Sequence, residues 1–285
     1  MEEDYFKIES EMFTDGDINP ESYLWKFVNI EKFLSLIVNE EFHLTRLDLF
    51  DDKQEAISLE YLKILAFQRE QQDIHPLSEY HQIIVNGNQQ NQLKEVQKKL
   101  QKTNYANCWH LSEDNIENVA MWNLYSGYNS VALKIKYKDF KSNILKYGIK
   151  NSSKDFKKLQ FSKVYYHNFQ DKKIYANIVD CDAVFMKDKS FEYEKEFRII
   201  AENDYIDFSS FQKNKKDWVP IEHYEKIYKN MEQTYIKLEL NNFKEYPFNI
   251  IFHPKCAPWI KKDLLSILSK FNIRFKNSSS ILELR

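Results

Sequence analysis

Stretches in which apolar and polar residues alternate recur along the chain and mark its predicted strands. The alternation occurs in "SYLWKFV", "EFHLTRLDLF", "YANCWHLSE", "NSVALKIKY", "FSKVYYH" and "FNIIFHP", and a period of two is that of a β-strand. By contrast, "IEKFLSLIVNE" and "PWIKKDLLSILSKF" have the apolar spacing of helices. The segment "NIVDCDAVFMKDK" is also predicted to be helical. This mixture predicts an α+β fold with a central, largely antiparallel sheet and flanking helices.

The order of these elements also bears on domain organisation. No repeat, long linker or low-complexity tail divides the 285 residues, so we predict a single mixed domain over residues 1–285. From 55 to 104 the pattern becomes polar and helical, as in the Gln- and Lys-rich "NQQNQLKEVQKKLQK". This segment is predicted to be a helical insert of one or two exposed helices.

The stretch "SFEYEKEFRII", residues 190–200, carries an unusual row of charges. Glu194, Glu196 and Arg198 fall at even positions and most odd positions are apolar, which predicts a strand over residues 191–200 with the charges on one face. On a solvated face such a row would contribute at most about 1 kcal/mol. In a cleft, two carboxylates about 7 Å apart on one strand face would raise each other's proton affinity while a nearby Arg lowered it, as happens in active sites. The alternation alone leaves both interpretations open.

Composition excludes several classes of function. The four glycines are isolated, so neither a Walker loop nor a Rossmann fingerprint is present. The three cysteines are widely spaced and the seven histidines show no ligand spacing, so no metal site is predicted. With 41 basic and 43 acidic residues, the chain is not built to coat nucleic acid. The acidic start "MEEDYFKIES" is not that of a signal peptide, and no apolar run is long enough to span a membrane. We therefore expect a soluble cytoplasmic protein.

Four segments together resemble the domain-of-unknown-function 2971 family of bacterial and phage-associated proteins. They are "LWKF" (24–27), "LDLFDDKQEA" (47–56), "CWHLSEDNIENVAMWNLYSGYNSVAL" (108–133) and "FEYEKEFRII" (191–200). The chain departs from the family pattern at Lys26, where the family has Arg, and at Asp51-Asp52-Lys53, where it has an Asn-Asp-Pro turn. A Lys presents a point charge where an Arg presents a bidentate fork, so any grip on a phosphate or carboxylate there is looser. The family's setting implies a toxin or phage-defence effector, with a partner protein in a defence or toxin–antitoxin operon.

The order of the parts also resembles that of ADP-ribosyltransferases, which have a basic residue on the first strand, a Ser-bearing middle strand and a late Glu-x-Glu strand. The resemblance implies that the protein uses NAD, without a metal, to modify an acceptor protein or nucleic acid, or that it is an NAD glycohydrolase. Glu196 would stabilise the cationic ribose and Glu194 would orient the acceptor. Lys26 would anchor the dinucleotide, with Ser112, Trp122 and Tyr125 around the pocket. We further expect Arg198 to hold Glu196 in place by a bidentate contact.

Other interpretations remain open. In "MWNLY", Trp122 and Tyr125 share a helix face; Trp122 suits a core position, whereas Tyr125 suits either the core or stacking on a base. A metal-dependent nuclease would combine Asp51 or Glu55 with Glu194 and Glu196 around a divalent ion, although Asp51, Asp52 and Glu55 also fit an ordinary helix start. A non-catalytic ligand-binding or interaction module, with the Glu-Arg row as a buried ion-pair network, is the third alternative.

Overall fold

The computed structural model of the protein describes residues 5–56, 90–150, 156, 158–168, 183–203, 233–273, 276–278, 280 and 282. Most of the predicted insert, residues 57–89, lies outside this described part, as does most of the final stretch "SSILELR". The described strands are β1 (Tyr5–Phe6), β2 (Phe13–Thr14), β3 (Tyr23–Asn29), β4 (Glu41–Arg46), β5 (Asn104–Ser112), β6 (Ser130–Lys136), β7 (Ile149–Lys150), β8 (Lys158–Lys163), β9 (Tyr165–His167), β10 (Met186–Asp188), β11 (Glu196–Glu202), β12 (Tyr235–Glu239), β13 (Asn249–Phe252) and β14 (Lys276–Ser278).

The α-helices lie between these strands. Their bounds are α1 (Ile30–Asn39), α2 (Gln90–Thr103), α3 (Val119–Tyr125), α4 (Tyr137–Tyr147) and α5 (Pro258–Lys270). Helix α2 is the described end of the predicted insert. Over the residues described, no helix combines the length and apolar character that crossing a membrane demands.

One large mixed sheet organises the molecule. Its main path runs β14-β13-β6-β3-β5-β11-β8-β2, and β4 joins β5 on one side and β12 on the other. Most neighbours are antiparallel, with parallel pairs between β13 and β14 and between β2 and β8. The predicted α+β fold is confirmed. The single-domain organisation, with its insert, stays a prediction.

The strand periodicity divides the sheet into two faces of different character. The core face carries apolar side chains, among them Leu24, Trp109, Leu133 and Phe197, and helices α1, α4 and α5 pack against it. The opposite face carries Trp25 and Phe27 on β3, which pack with Met121 and Trp122 of α3. We call this second side the site face, because Glu196 and Arg198 of β11 lie on it, alternating with the core residues Phe197 and Ile199.

Two predicted elements are wrong. In "NIVDCDAVFMKDK", the described residues form a 3-10 helix (Ala183–Phe185) and then strand β10, and residues 177–182 lie outside the described part. A short apolar run such as Val184 to Met186 fits a buried extended segment as well as a helix. Residues 191–200 are not one strand either: Lys189–Glu194 form a 3-10 helix and β11 begins only at Glu196.

Candidate functional site

A local backbone reversal brings Glu194 and Glu196 together. The 3-10 helix Lys189–Glu194 has Asp188 as its N-cap, whose side chain accepts a hydrogen bond from Ser190 N, and Lys195 as its C-cap. Lys195 has a positive φ of 42°, the left-handed conformation that stops a helix. Its carbonyl accepts a hydrogen bond from Leu111 N on β5. Glu194 and Glu196 therefore lie on either side of a turn. On one face of a straight strand, residues two positions apart would instead be about 7 Å from each other.

Arg198 is fully buried beneath the site face and connects three segments. Its Nε donates to Glu196 Oε2 at 2.7 Å, and its Nη1 donates to the carbonyl of Val184 at 3.0 Å. Its Nη2 lies 2.9 Å from Glu55 Oε2. The expected contact between Arg198 and Glu196 is present, but it uses one carboxylate oxygen, and the other arm of the guanidinium faces Glu55.

Lys187 contacts all three carboxylates of the site. From β10, its Nζ donates to Glu194 Oε2 at 2.6 Å and to Glu196 Oε1 at 2.8 Å, and it lies 3.1 Å from Glu55 Oε1. We call these five residues the charge cluster: Glu55, Lys187, Glu194, Glu196 and Arg198. Their side chains are at most 7% exposed.

Within the described part of the chain, the carboxylate of Glu55 is held by charge and not by directed hydrogen bonds. Both of its oxygens lie close to the nitrogens of Lys187 and Arg198, yet neither contact has hydrogen-bond geometry. The cluster holds three carboxylates and two cations. It therefore carries one net negative charge when Glu194 is ionised, and none when Glu194 is protonated.

The two neighbouring carboxyl groups have opposite proton affinities. Burial, a hydrogen bond shared with Glu196 and the Glu196 charge raise the pKa of Glu194 to about 7, against the opposing effect of Lys187. Burial also opposes ionisation of Glu196, but the charges of Arg198 and Lys187 and the hydrogen bonds around it outweigh burial and hold its pKa well below the ordinary value. One carboxyl can thus exchange a proton near neutral pH while its neighbour stays ionised.

Glu194 is the member of the cluster that contacts a half-exposed side chain. Its Oε1 accepts a hydrogen bond from the hydroxyl of Tyr125 at 2.8 Å, and Tyr125 is half exposed at the end of α3. Burial, followed by the charge of Glu194, raises the pKa of Tyr125, so the hydroxyl stays protonated and remains a donor. On the inner side, His110 Nδ1 lies 2.7 Å from the Glu194 carbonyl oxygen.

Helix α3 carries Tyr125. Its N-cap is Asn118, whose side chain accepts hydrogen bonds from the backbone N–H groups of Ala120 and Met121. Asn115, which precedes the helix, has a left-handed φ of 54°. Trp122 is buried, and its Nε1 donates to Glu117. This placement gives Trp122 a packing role against Phe27, the core position that its helix spacing suited.

Lys26 lies on the other face of the sheet from the cluster. Its neighbours Trp25 and Phe27 are on the site face, and its ammonium lies 5.8 Å from the ring centre of Trp109 on the core face. It donates to the Cys108 carbonyl at 2.6 Å, and burial lowers its pKa to about 8. Strands β3, β5 and β11 are neighbours as expected, but alternation sends Lys26 and Glu196 to opposite sides.

That contact of Lys26 fills a gap in the sheet. One edge of β5 pairs with β3 from Ser112 to His110 and with β4 at Ala106 and Tyr105, so among the described residues its middle has no strand partner on that side. The Lys26 ammonium satisfies the Cys108 carbonyl in this gap, as buried carbonyl groups require. Ser112 lies at the far end of β5, where its hydroxyl bonds to the backbone of Ile116. The structure therefore brings Tyr125, Glu194, Glu196 and Arg198 together, and leaves Lys26, Ser112 and Trp122 in other contacts.

The three carboxylates that a metal site would need do converge, with one replacement. Glu55, Glu194 and Glu196 meet as the nuclease alternative required, but the Lys187 ammonium is at their centre, where a divalent ion would have to lie. In the described part of the chain, no group of three or more His, Cys, Asp or Glu side chains is placed to hold a metal ion. The residues present do not fit a metal.

Lys187 was not identified as a site residue from the sequence, and Glu55 was named only in the metal-dependent nuclease alternative. Lys187 was placed in a predicted helix, and Glu55 in an acidic turn. Glu55 reaches the cluster only through tertiary structure, because the nearest other member, Lys187, lies 132 positions further along the chain. The signal that was available for Lys187 is weak: it is a charged residue directly after the buried apolar run Val184 to Met186.

Comparison with known proteins gives one match. The model of the family described as "Protein of unknown function (DUF2971)" matches residues 121–199. No curated protein and no solved structure matches the chain. The matched range starts in α3 and ends in β11, whereas the early segments at 24–27 and 47–56 lie outside it. Residues 121–199, which supply Tyr125, Lys187, Glu194, Glu196 and Arg198 to the site, are thus the part of this chain that matches the DUF2971 family.

Proposed function

We propose that the protein is an ADP-ribosyltransferase-like enzyme that cleaves the nicotinamide–ribose bond of NAD and transfers the ADP-ribosyl group to an acceptor or to water. One observation carries this proposal: the two adjacent carboxyl groups Glu194 and Glu196 have opposite pKa shifts. A group with a pKa near 7 suits a general base, and a permanently ionised one suits a cationic transition state.

The chemistry assigns each carboxyl group a task. The bond between ribose C1′ and the nicotinamide nitrogen breaks, and its electron pair leaves with nicotinamide, which becomes neutral. An acceptor oxygen then forms the new bond to C1′, and its proton passes to the ionised Glu194 and on to water. Glu196 supplies negative charge beneath the developing ribosyl cation, as in other reactions at a sugar carbon. Because both Glu196 oxygens already accept hydrogen bonds, it acts through its field and not by direct attack.

The direct test uses NAD labelled in the ADP-ribose part. Purified protein is incubated with it and with cell lysate, and both nicotinamide release and label transfer are measured. We expect turnover by the wild type and its loss in Glu194→Gln, since an amide cannot accept the acceptor's proton. The matched control is Glu192→Gln, an exposed position two residues away, which should keep wild-type turnover. Equal turnover in Glu194→Gln and wild type would remove Glu194 from the mechanism.

A second candidate, a non-catalytic ligand-binding module, is favoured by the placement of Lys26. The residue expected to anchor the dinucleotide lies on the core face and bonds to a backbone carbonyl, and the cluster charges are paired with one another. Calorimetric titration separates the two candidates. Heat of NAD binding without nicotinamide release from the wild-type protein would support the module and contradict the enzyme.

An effector role in defence or as a toxin is the biological setting that we propose for this activity. Induced expression of the wild-type chain should then arrest growth and lower cellular NAD, and Glu194→Gln should do neither. Growth arrest that is equal for both chains would separate toxicity from the proposed chemistry.

A further inference from the structure

The Lys187 ammonium lies among three carboxylates that come from two distant parts of the chain, Glu55 from one and Glu194 and Glu196 from the other. Glu55 follows a short 3-10 helix (Leu47–Leu49), Glu194 ends another, and Glu196 begins β11. The contacts of Lys187 Nζ with these groups span 2.6 to 3.1 Å. Two of these contacts are hydrogen bonds and the third, with Glu55, is an ion pair, so two of the three N–H donors of the ammonium are used within the cluster. The three carboxylates surround the Lys187 ammonium as they would surround a bound cation, but here the cation is a side chain of the protein.

Lys187 also comes from outside the large sheet. Strand β10 pairs in parallel with β9, and Lys187 is in register with Tyr166. The hydroxyl of Tyr166 accepts a hydrogen bond from the backbone N–H of Glu196 at 2.8 Å, while Lys187 bonds to the side chain of the same residue. Two adjacent strands of one small ribbon therefore hold Glu196 at two points.

These contacts also direct Glu194. Lys187 holds Glu194 Oε2 from the inside, and the remaining oxygen, Oε1, faces the hydroxyl of Tyr125. Tyr125 is the half-exposed partner of this carboxyl group. An acceptor that gives its proton to Glu194 must then arrive from the Tyr125 side.

We propose that Lys187 is a positioning residue for the proposed reaction: it is a built-in counter-ion that fixes Glu194 with Oε1 toward the Tyr125 side and ties the β9–β10 ribbon to the sheet. The role in turnover rests on the proposed function, whereas the electrostatic role of Lys187 stands on the contacts. The titratable and charged groups that face Glu194 or its direct partners come from every element around it, namely Glu55, His110, Tyr125, Tyr166, Lys187, Glu196 and Arg198.

The test replaces Lys187 by methionine, which keeps the length of the side chain and removes its charge. Carbon-13 NMR of the Glu194 carboxyl carbon, assigned with Glu194→Gln, gives its titration midpoint. We expect the midpoint in Lys187→Met to rise by about 1 pH unit or more, because a cation in contact lowers a carboxyl pKa by about 1 to 3 units. The acidic limb of the pH profile of kcat should move by the same amount. Lys189→Met, an exposed lysine two residues away, is the matched control and should leave both unchanged.

A Glu194 midpoint that is equal in wild type and Lys187→Met would overturn the proposal. If Lys187→Met does not fold, nitrogen-15 NMR of the wild-type Lys187 ammonium takes its place: we expect slowly exchanging protons and a shift that follows the titration of Glu194. An ammonium whose protons exchange fast and whose shift does not change as Glu194 titrates would equally overturn the proposal. A raised midpoint in a protein whose wild type releases no nicotinamide would support the electrostatic role of Lys187 and reject the proposed function, so the two failures are distinguishable.

Discussion

Replacing Arg198 by methionine tests whether the cluster is a truly buried network. The guanidinium is completely buried and contacts Glu196, Glu55 and the carbonyl of Val184. Methionine fills much of the same space but has no charge. The variant leaves three carboxylates facing the single ammonium of Lys187, together with an unpaired carbonyl group at Val184.

The expected loss follows from the cost of an uncompensated buried charge. Breaking a buried ion pair by removing one partner costs about 3 to 5 kcal/mol. For a chain of this size that corresponds to a fall in Tm of roughly 10 °C. Arg198→Lys should lie between the variant and the wild type, because a point charge cannot contact Glu196, Glu55 and the Val184 carbonyl at once.

The assay is urea unfolding at pH 7, in low and high salt. Lys136→Met is the matched control, because its partner Glu21 is more than half exposed. The control should lose less than about 1 kcal/mol, and salt should reduce even that. The loss in Arg198→Met should barely depend on salt. A loss below about 1 kcal/mol in Arg198→Met would refute the buried network and leave the charged row as ordinary surface.

Three further predictions concern single residues. The pKa of Glu194 is raised from 4.5 to about 7, so its protonated form stabilises the fold below pH 4.5 and this contribution is lost as the pH rises through 7. Relative to Glu194→Gln, the unfolding free energy of the wild type should fall by about 1 to 3 kcal/mol over that range. Parallel curves of unfolding free energy against pH for the two proteins would contradict this. Lys26→Met should cost about 1 to 3 kcal/mol by leaving the Cys108 carbonyl unpaired while NAD affinity in calorimetry stays unchanged; a tenfold weaker affinity would instead restore Lys26 as the anchor. Tyr125→Phe removes a hydrogen bond to the ionised carboxylate of Glu194, so the titration midpoint of Glu194, measured by NMR, should rise. A midpoint at or below the wild-type value would show that the hydroxyl does not stabilise the anion.

The strands of the sheet were predictable because each has one face in the core. Alternation placed β3, β5 and β6 correctly, and the even positions of "EFRII" do share one face. The same alternation was misleading at Phe191 to Glu194, since a 3-10 helix that ends in a left-handed Lys195 leaves a similar apolar and polar order in the sequence. Lysine has no special preference for that conformation, so nothing local indicated the reversal.

The composition of the cluster was predictable only in part. Glu194, Glu196 and Arg198 are close in sequence, and their local spacing was sufficient to group them. Glu55 joins them through long-range packing, which no spacing rule describes, and Lys187, although only seven positions before Glu194, reaches them from the separate strand β10. The expectation for Lys26 fails for a related reason: the residue does lie on an early strand, β3, but the alternation of that strand decides which face of the sheet its side chain is on. A sequence motif can indicate the order of the strands, but it does not indicate on which face of the sheet a given side chain lies.

The position of β5 at the centre of the sheet has a consequence for folding kinetics. This strand pairs with β3 and β4 from earlier in the chain and with β11 from much later, where Glu196 is opposite His110. Pairings so distant in sequence form slowly, because a long loop must close before any contact compensates for its entropy. The carboxylates of β11 and its preceding turn lose their water only when this strand docks. Refolding should therefore contain a late phase whose rate depends on pH near 7, since a protonated Glu194 enters the interior without its charge.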